Sequence, residues 1–218
     1  MKKCLLLFSV LLVTLAVNAQ TDFKEEVVET TLTKEVMWNN LKKWVSSSFN
    51  SSKHVVDLED KENGVLVVKY TTNIPCFVQV IELTGESTMQ IDVRDNKYRI
   101  RLSEQNVVIK PNIRNSSDMS VSDLNQAISD LEFIEEKFNA TKINVADIEP
   151  IWKQQLEKLD ATLKYKNEKN EKKGKVTKEY EQEDRKARIL QNMYNGYNLL
   201  NGKVVESLKN QMNYVDDF

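Results

Sequence analysis

The chain has 218 residues, 40% hydrophobic and 29% charged, with 31 basic against 33 acidic side chains and a formal net charge of −2. That length suits one compact domain with an appendage or two small domains, and the near balance of charge gives no overall pull toward nucleic acid or an anionic membrane. One histidine, two cysteines and five glycines leave no HExxH, CxxC, GxSxG or glycine-rich phosphate loop, so the common zinc, triad and nucleotide chemistries have no motif here and no cofactor is expected.

The first elements are an address. Lys2 and Lys3 precede an apolar run from Cys4 to Val17, broken only by Ser9 and Thr14, and Val17-Asn18-Ala19 supplies compact side chains at a cleavage position. The pattern is that of a secretory signal peptide over residues 1–19, and the run falls short of the ~20 residues that span a bilayer as a helix. The expected product is periplasmic or secreted, with no membrane span after cleavage. Cys4 precedes the apolar run rather than ending it, so a lipoprotein is not expected. Cleavage would remove Lys2 and Lys3, leaving 29 basic against 33 acidic residues and a net charge of −4. It would also remove Cys4, so Cys76 would have no internal disulfide partner.

Weak alternation from Phe23 to Leu32 suggests an initial strand. Lys34 to Phe49 then reads as a helix capped by Thr33, with Val36, Met37, Leu41, Trp44, Val45 and Phe49 on one stripe. Strands are expected at His54–Leu58 and Val65–Tyr70, around a turn ending in Asn63-Gly64, and at Cys76–Leu83, closed by Gly85. The best-specified hairpin comes next. A two-residue turn at Asp95-Asn96 puts Arg94 opposite Lys97, Val93 opposite Tyr98, Asp92 opposite Arg99, Ile91 opposite Ile100, Gln90 opposite Arg101 and Met89 opposite Leu102. Apolar meets apolar and polar meets polar, so a one-residue slip would turn every side chain to the wrong face. The sheet is therefore antiparallel, with one face on a core.

Past Val107–Ile109 and a loop from Pro111 to Ser120, the pattern becomes helical. Ser122 can cap a helix with the stripe Leu124, Ile128, Leu131, Ile134 and Phe138, and Asn139–Val145 reads as a break. Pro150 fits the first turn of a helix carrying Ile148, Trp152, Leu156, Leu159 and Leu163. A charged stretch from Lys164 to Arg188, with an elbow at Gly174, leads to a last stripe from Ile189 to Val215. The fold class is α+β over residues 20–145, followed by a helical hairpin over residues 146–218.

The helix WNNLKKWVSSSF, the segment KHVVDLEDKENGVLVV and the hairpin IDVRDNKYRIRL together resemble a known family. It is an exported domain of unknown function with a TBP-like fold, common in Bacteroidota. The resemblance spans roughly Phe23 to Phe138 and implies a curved antiparallel sheet with helices on one face. Asn96 stands where the pattern often has glycine, a substitution that left-handed backbone tolerates. The family carries over no catalytic residues.

The candidate chemistry is sparse. His54 alone makes no metal site or triad. Cys76 reads as a small buried hydrophobe before it reads as a nucleophile. Asp57, Glu59, Asp60 and Glu62 cluster at a turn, without the residue order of a calcium loop. The surface of interest is the polar face of the hairpin, Gln90, Asp92, Arg94, Arg99 and Arg101, which suits a protein, peptide or glycan of the cell envelope. The expected function is non-enzymatic binding, with no nucleic acid as partner. The alternatives are a carboxylate- or thiol-based hydrolase, and a structural component that self-assembles, as a homo-oligomer, through its C-terminal helices.

Overall fold

The computed structural model describes residues 25–49, 55–78, 81–111, 119–168 and 178–215. The expected signal peptide at 1–19, His54 and the expected elbow at Gly174 lie outside the described residues. Among the described residues ten elements follow one another: β1 (Glu25–Glu29), α1 (Lys34–Ser48), β2 (Val56–Asp60), β3 (Val65–Ile74), β4 (Ile81–Arg94), β5 (Lys97–Pro111), α2 (Val121–Phe138), β6 (Lys142–Asn144), α3 (Val145–Glu168) and α4 (Lys178–Met212). The strands form one antiparallel sheet in the order β1-β5-β4-β3-β2, with β6 also paired to β5. Because β4 occupies one edge of β5 along its length, β1 and β6 share the other, at Lys97–Arg101 and Asn106–Val108 respectively.

The hairpin has the register that its alternation dictates, from Arg94↔Lys97 through Asp92↔Arg99 to Met89↔Leu102. Asn96 takes a φ of 64° in the turn, the left-handed conformation expected of it. The turn is also an anchor. Asp95 Oδ1 accepts from the Lys34 N–H at 2.8 Å, and Asn96 exchanges backbone hydrogen bonds with Thr30 and Leu32. The link from β1 into α1 is thereby clasped to the hairpin tip. Thr33 caps α1, its hydroxyl accepting from the Val36 N–H.

The strands are longer than short-range signals suggest. No strand begins at Cys76; β4 starts at Ile81 and runs through Gly85 without a break. The Val107–Ile109 segment is the far end of β5, not a separate strand. Gly85 does not terminate anything. It lies under α4: a Cβ there would lie 2.7 Å from Thr72 Oγ1 and 3.0 Å from the Tyr197 ring.

One face of the sheet carries the core. Its alternate residues Leu83, Met89, Ile91, Val93, Tyr98, Ile100, Val107 and Ile109 are buried beneath helices. The core has two apolar clusters. In one, Met37, Leu41 and Trp44 of α1 meet the hairpin and the end of α4 at Val205, Leu208 and Met212. In the other, Phe133 and Ile134 of α2, Ile148 of α3 and Ile189–Tyr197 of α4 cover Ile74, Leu83 and Val107. Each such buried aliphatic contributes about 1.5–3 kcal/mol. With 35 residues, α4 traverses both clusters, so the last stripe is a sheet-covering element as well as the partner of α3.

The helices refine several expectations. Ser120, not Ser122, caps α2, accepting from the Asp123 N–H at 3.2 Å. The buried side of α2 is Ala127, Asp130, Phe133 and Ile134, while Leu124 and Ile128 are exposed. Ala127, Phe133 and Ile134 supply the apolar burial on this side, and Asp130 is accommodated there by binding Arg185 of α4 through both oxygens, at 2.7 to 3.0 Å. Asn139, at φ 48°, ends α2, and part of the expected break is β6. Pro150 lies beyond the first turn of α3, which begins at Val145 with the Asn144 side chain accepting from the Ala146 N–H. Leu156 is exposed, and Gln155 faces inward to bond Glu183 of α4.

Candidate binding face of the sheet

Every second residue of a strand faces away from the core. On β4 these are Glu82, Thr84, Glu86, Thr88, Gln90, Asp92 and Arg94, all exposed or partly so. Among the described residues no helix packs over them. The hairpin thus displays its polar set on an uncovered surface.

Four of the five polar hairpin residues form one network with Asp92 at its hub. Gln90 donates to Asp92 Oδ1 at 2.8 Å, while Arg99 Nε and Arg101 reach Oδ2 at 2.9 and 3.2 Å. Glu25 of β1 lies 3.7 Å from Arg99. Burial of Asp92 alone would raise its pKa, but the hydrogen bonds from Gln90 and Arg99 and the charges of both arginines outweigh it, holding the carboxyl below its usual range. Both guanidinium groups are oriented by Asp92, so they are fixed in direction, and its charge together with that of Glu25 beside Arg99 offsets theirs. Arg94 stands apart at the hairpin end, on the rim of a cavity of about 180 Å³ with Val27 and Lys97.

A second polar group lies further along the same face, and sequence spacing did not point to it. The β4–β5 register shifts between Glu86 and Thr88, and within this bulge Glu104 adopts a φ of 50°. A non-glycine residue there is strained, and bulges often re-aim side chains near functional sites. Glu104 accepts from the Thr88 hydroxyl at 2.9 Å. Beside it Lys142 of β6 pairs with Glu86 at 2.7 Å; that hydrogen bond, then the Glu86 charge, raises the lysine pKa. These residues, with Lys69, Thr71 and Asn106, line a cavity of about 780 Å³ that extends to Phe49. Only the bulge brings Glu104 here, and bulges leave little trace in a residue pattern.

The other candidates are dispersed. Glu59 pairs with Lys42, Asp57 with Lys69 at 3.2 Å, and Asp60 accepts from the Asn63 side chain at 2.7 Å and from its N–H at 3.0 Å. The Asn63 side chain and then its backbone N–H lower the Asp60 pKa, as in an ordinary Asx turn. Glu62 contributes its carbonyl to Lys34. Cys76 is half-buried against the second cluster, and burial pushes its thiol pKa up, away from the thiolate a nucleophile needs. Among the described residues no group of His, Cys, Asp and Glu side chains could hold a metal ion, and no described helix is long and apolar enough to cross a membrane.

The covered face has a polar group of its own, also missed from sequence. At the seam of the two clusters, Asn201 Oδ1 accepts from the Tyr70 hydroxyl at 2.6 Å and from Ser87 at 3.0 Å, and Ser87 bonds Tyr197 at 2.7 Å. Burial raises both tyrosine pKa values, that of Tyr197 to about 12. The four side chains fix where α4 sits on the sheet, since each would be left unpaired by a shift along the helix axis.

The described residues thus form an α+β protein, an antiparallel sheet with its helices on one side. Residues 23–107 match the family described as a domain of unknown function (DUF4468) with TBP-like fold. The match ends within β5, so the helices after it lie outside it. The family indicates no enzymatic class. Among solved structures, the chain is similar to a TBP-like protein from Parabacteroides distasonis, at 14% identity and a TM-score of 0.43, over 87% of this chain and 96% of that one. It is also similar to a DUF4468 family protein from Bacteroides ovatus, at 8% identity and a TM-score of 0.34, over 53% and 82% of the respective chains. No curated protein matches the chain.

Proposed function

We propose that this is an exported, non-enzymatic binding protein of the cell envelope that receives its partner on the uncovered face of the sheet. The observation that carries the reading is the asymmetry of the sheet. One face is filled by α1, α4 and their neighbours, while the other holds pre-oriented polar groups around Asp92 and Glu104. Oriented groups lose little freedom on binding, which favours affinity. Export follows from the signal-like residues 1–19. A nucleic-acid partner is disfavoured, because Arg99 and Arg101 are spent on Asp92 and the chain is slightly acidic. A hydrolase using Cys76 or the Asp57–Glu62 carboxylates finds less support, given the raised thiol pKa and the structural pairing of Asp57, Glu59 and Asp60.

Photo-crosslinking in cells expressing the full chain tests the reading. A benzophenone amino acid at Val67 or Thr88, on the uncovered face, should give discrete adducts, whereas one at the exposed Glu132 of α2 should not. Adducts absent from both face positions, or equally strong from Glu132, would remove the face from consideration.

A further inference from the structure

We infer that the cavity around the β5 bulge takes a neutral, polyhydroxylated ligand, a glycan chain lying across the strands. The inference rests on the binding-face reading above and names its ligand class. The cavity, about 780 Å³, is lined by residues of β3, β4, β5 and β6 and, at one end, by Ser48, Phe49 and Val55, reaching Tyr70 and Ser87 of the covered side. Both lysines of the lining are paired, Lys142 with Glu86 and Lys69 with Asp57, while Glu104 is held only by the neutral Thr88 hydroxyl. Such a lining offers an anion no free cation, and among the described residues it contains no deep apolar pocket to seat a lipid or the side chains of a peptide.

What it offers is hydrogen-bonding capacity of both signs. Glu86 and Glu104 are each held through one oxygen, by Lys142 and Thr88, and a carboxylate has lone pairs beyond those one donor uses. The Asn106 amide and Thr71 hydroxyl make no side-chain hydrogen bond among the described residues, and both line the cavity. Sugar hydroxyls donate and accept at once, so they match a surface that mixes carboxylates, ammonium groups, an amide and hydroxyls. The apolar side of a sugar ring has a counterpart in Phe49, at one end of the cavity, whose ring is held edge-on by Trp44 at 5.3 Å and against Tyr70 at 5.8 Å. The strained backbone of Glu104 fits the same role: it costs stability and delivers a carboxylate to the centre of this lining.

The test uses NMR titration of the purified protein with three sets of probes: neutral hexasaccharides (maltohexaose, cellohexaose, mannohexaose, xylohexaose), hexagalacturonate, and hexa-alanine. At least one neutral sugar should shift the amide signals of Thr71, Thr88, Glu104 and Asn106 saturably, with hexagalacturonate and hexa-alanine at least ten-fold weaker. Glu104→Gly retains the left-handed backbone and removes the carboxylate; it should weaken the neutral sugar at least ten-fold with an unchanged or higher melting temperature. Asn106→Ala should weaken it several-fold. Preferred binding of the uronate or the peptide, or no shift with any probe, overturns the neutral-glycan assignment. Adducts from Val67 and Thr88 would leave the binding-face reading standing in that event, and their absence would end both. Neutral-sugar binding that Glu104→Gly leaves intact places the ligand elsewhere and overturns this site.

Discussion

The two faces of the sheet are made from the same strands, often from adjacent residues, yet they obey different rules. On the covered face, Ile91 and Ile100 are fully buried opposite each other, and packing leaves no room even for a Cβ at Gly85. On the uncovered face, one residue away, Asp92 and Arg99 form a hydrogen-bonded pair at 2.9 Å that solvent partly screens. Stability is concentrated on the first face and tolerance on the second. A surface with little structural duty is free to bind, and strain at Glu104 is affordable only there.

The comparison is broken most severely by moving a charge between faces. Ile91→Asp should cost about 4 kcal/mol or more, since an unpaired carboxylate replaces a fully buried aliphatic; urea unfolding will show a collapsed midpoint or no folded baseline. Gly85→Val should follow at about 3 kcal/mol, because Thr72 and the Tyr197 ring must move for the new side chain. A crystal structure of that variant should show α4 displaced from β4.

Asn201→Leu should cost about 2 kcal/mol by leaving the Tyr70 hydroxyl buried and unpaired and by removing one of the two partners of Ser87. Adding Tyr70→Phe and Ser87→Ala should recover part of the loss in the same denaturation assay. The seam also predicts alkaline sensitivity. A tyrosine raised by burial contributes stability that is present below its unfolded value near 10 and lost as pH climbs toward about 12. Tyr197→Phe should therefore flatten the stability profile above pH 10.

The smallest effects belong to the uncovered face. Asp92→Asn should cost about 1 kcal/mol at neutral pH. The Asp92 pKa is depressed in the fold, so its contribution is present above the unfolded value near 3.9 and disappears as pH falls through the folded one. Wild type and variant should then converge in acid. Arg94→Ala, at the hairpin end, should stay within about 0.5 kcal/mol of wild type. A large loss from either change would mean that the uncovered face also holds the fold together.

The amino-acid sequence alone determined the α+β class, the N-terminal helix with its Thr33 cap, and the 89–102 register, because alternation and capping are local properties that a run of side chains expresses directly. It also placed Gln90, Asp92, Arg99 and Arg101 on one face, since period-two geometry fixes facing without reference to the rest of the chain. Tertiary structure decided what covers the other face. The stripe of α4 reads equally well as a seam between helices or as a lid on a sheet, and only the packed fold lays it across both clusters. Asp130–Arg185 and the Tyr70–Ser87–Tyr197–Asn201 seam join residues 55 to 131 positions apart, beyond the reach of any local pattern. The bulge at Glu104 depends on how β5 satisfies β4, β1 and β6 at once. That competition among three partners is a property of the sheet, and it is what turns a polar strand into the centre of a candidate site.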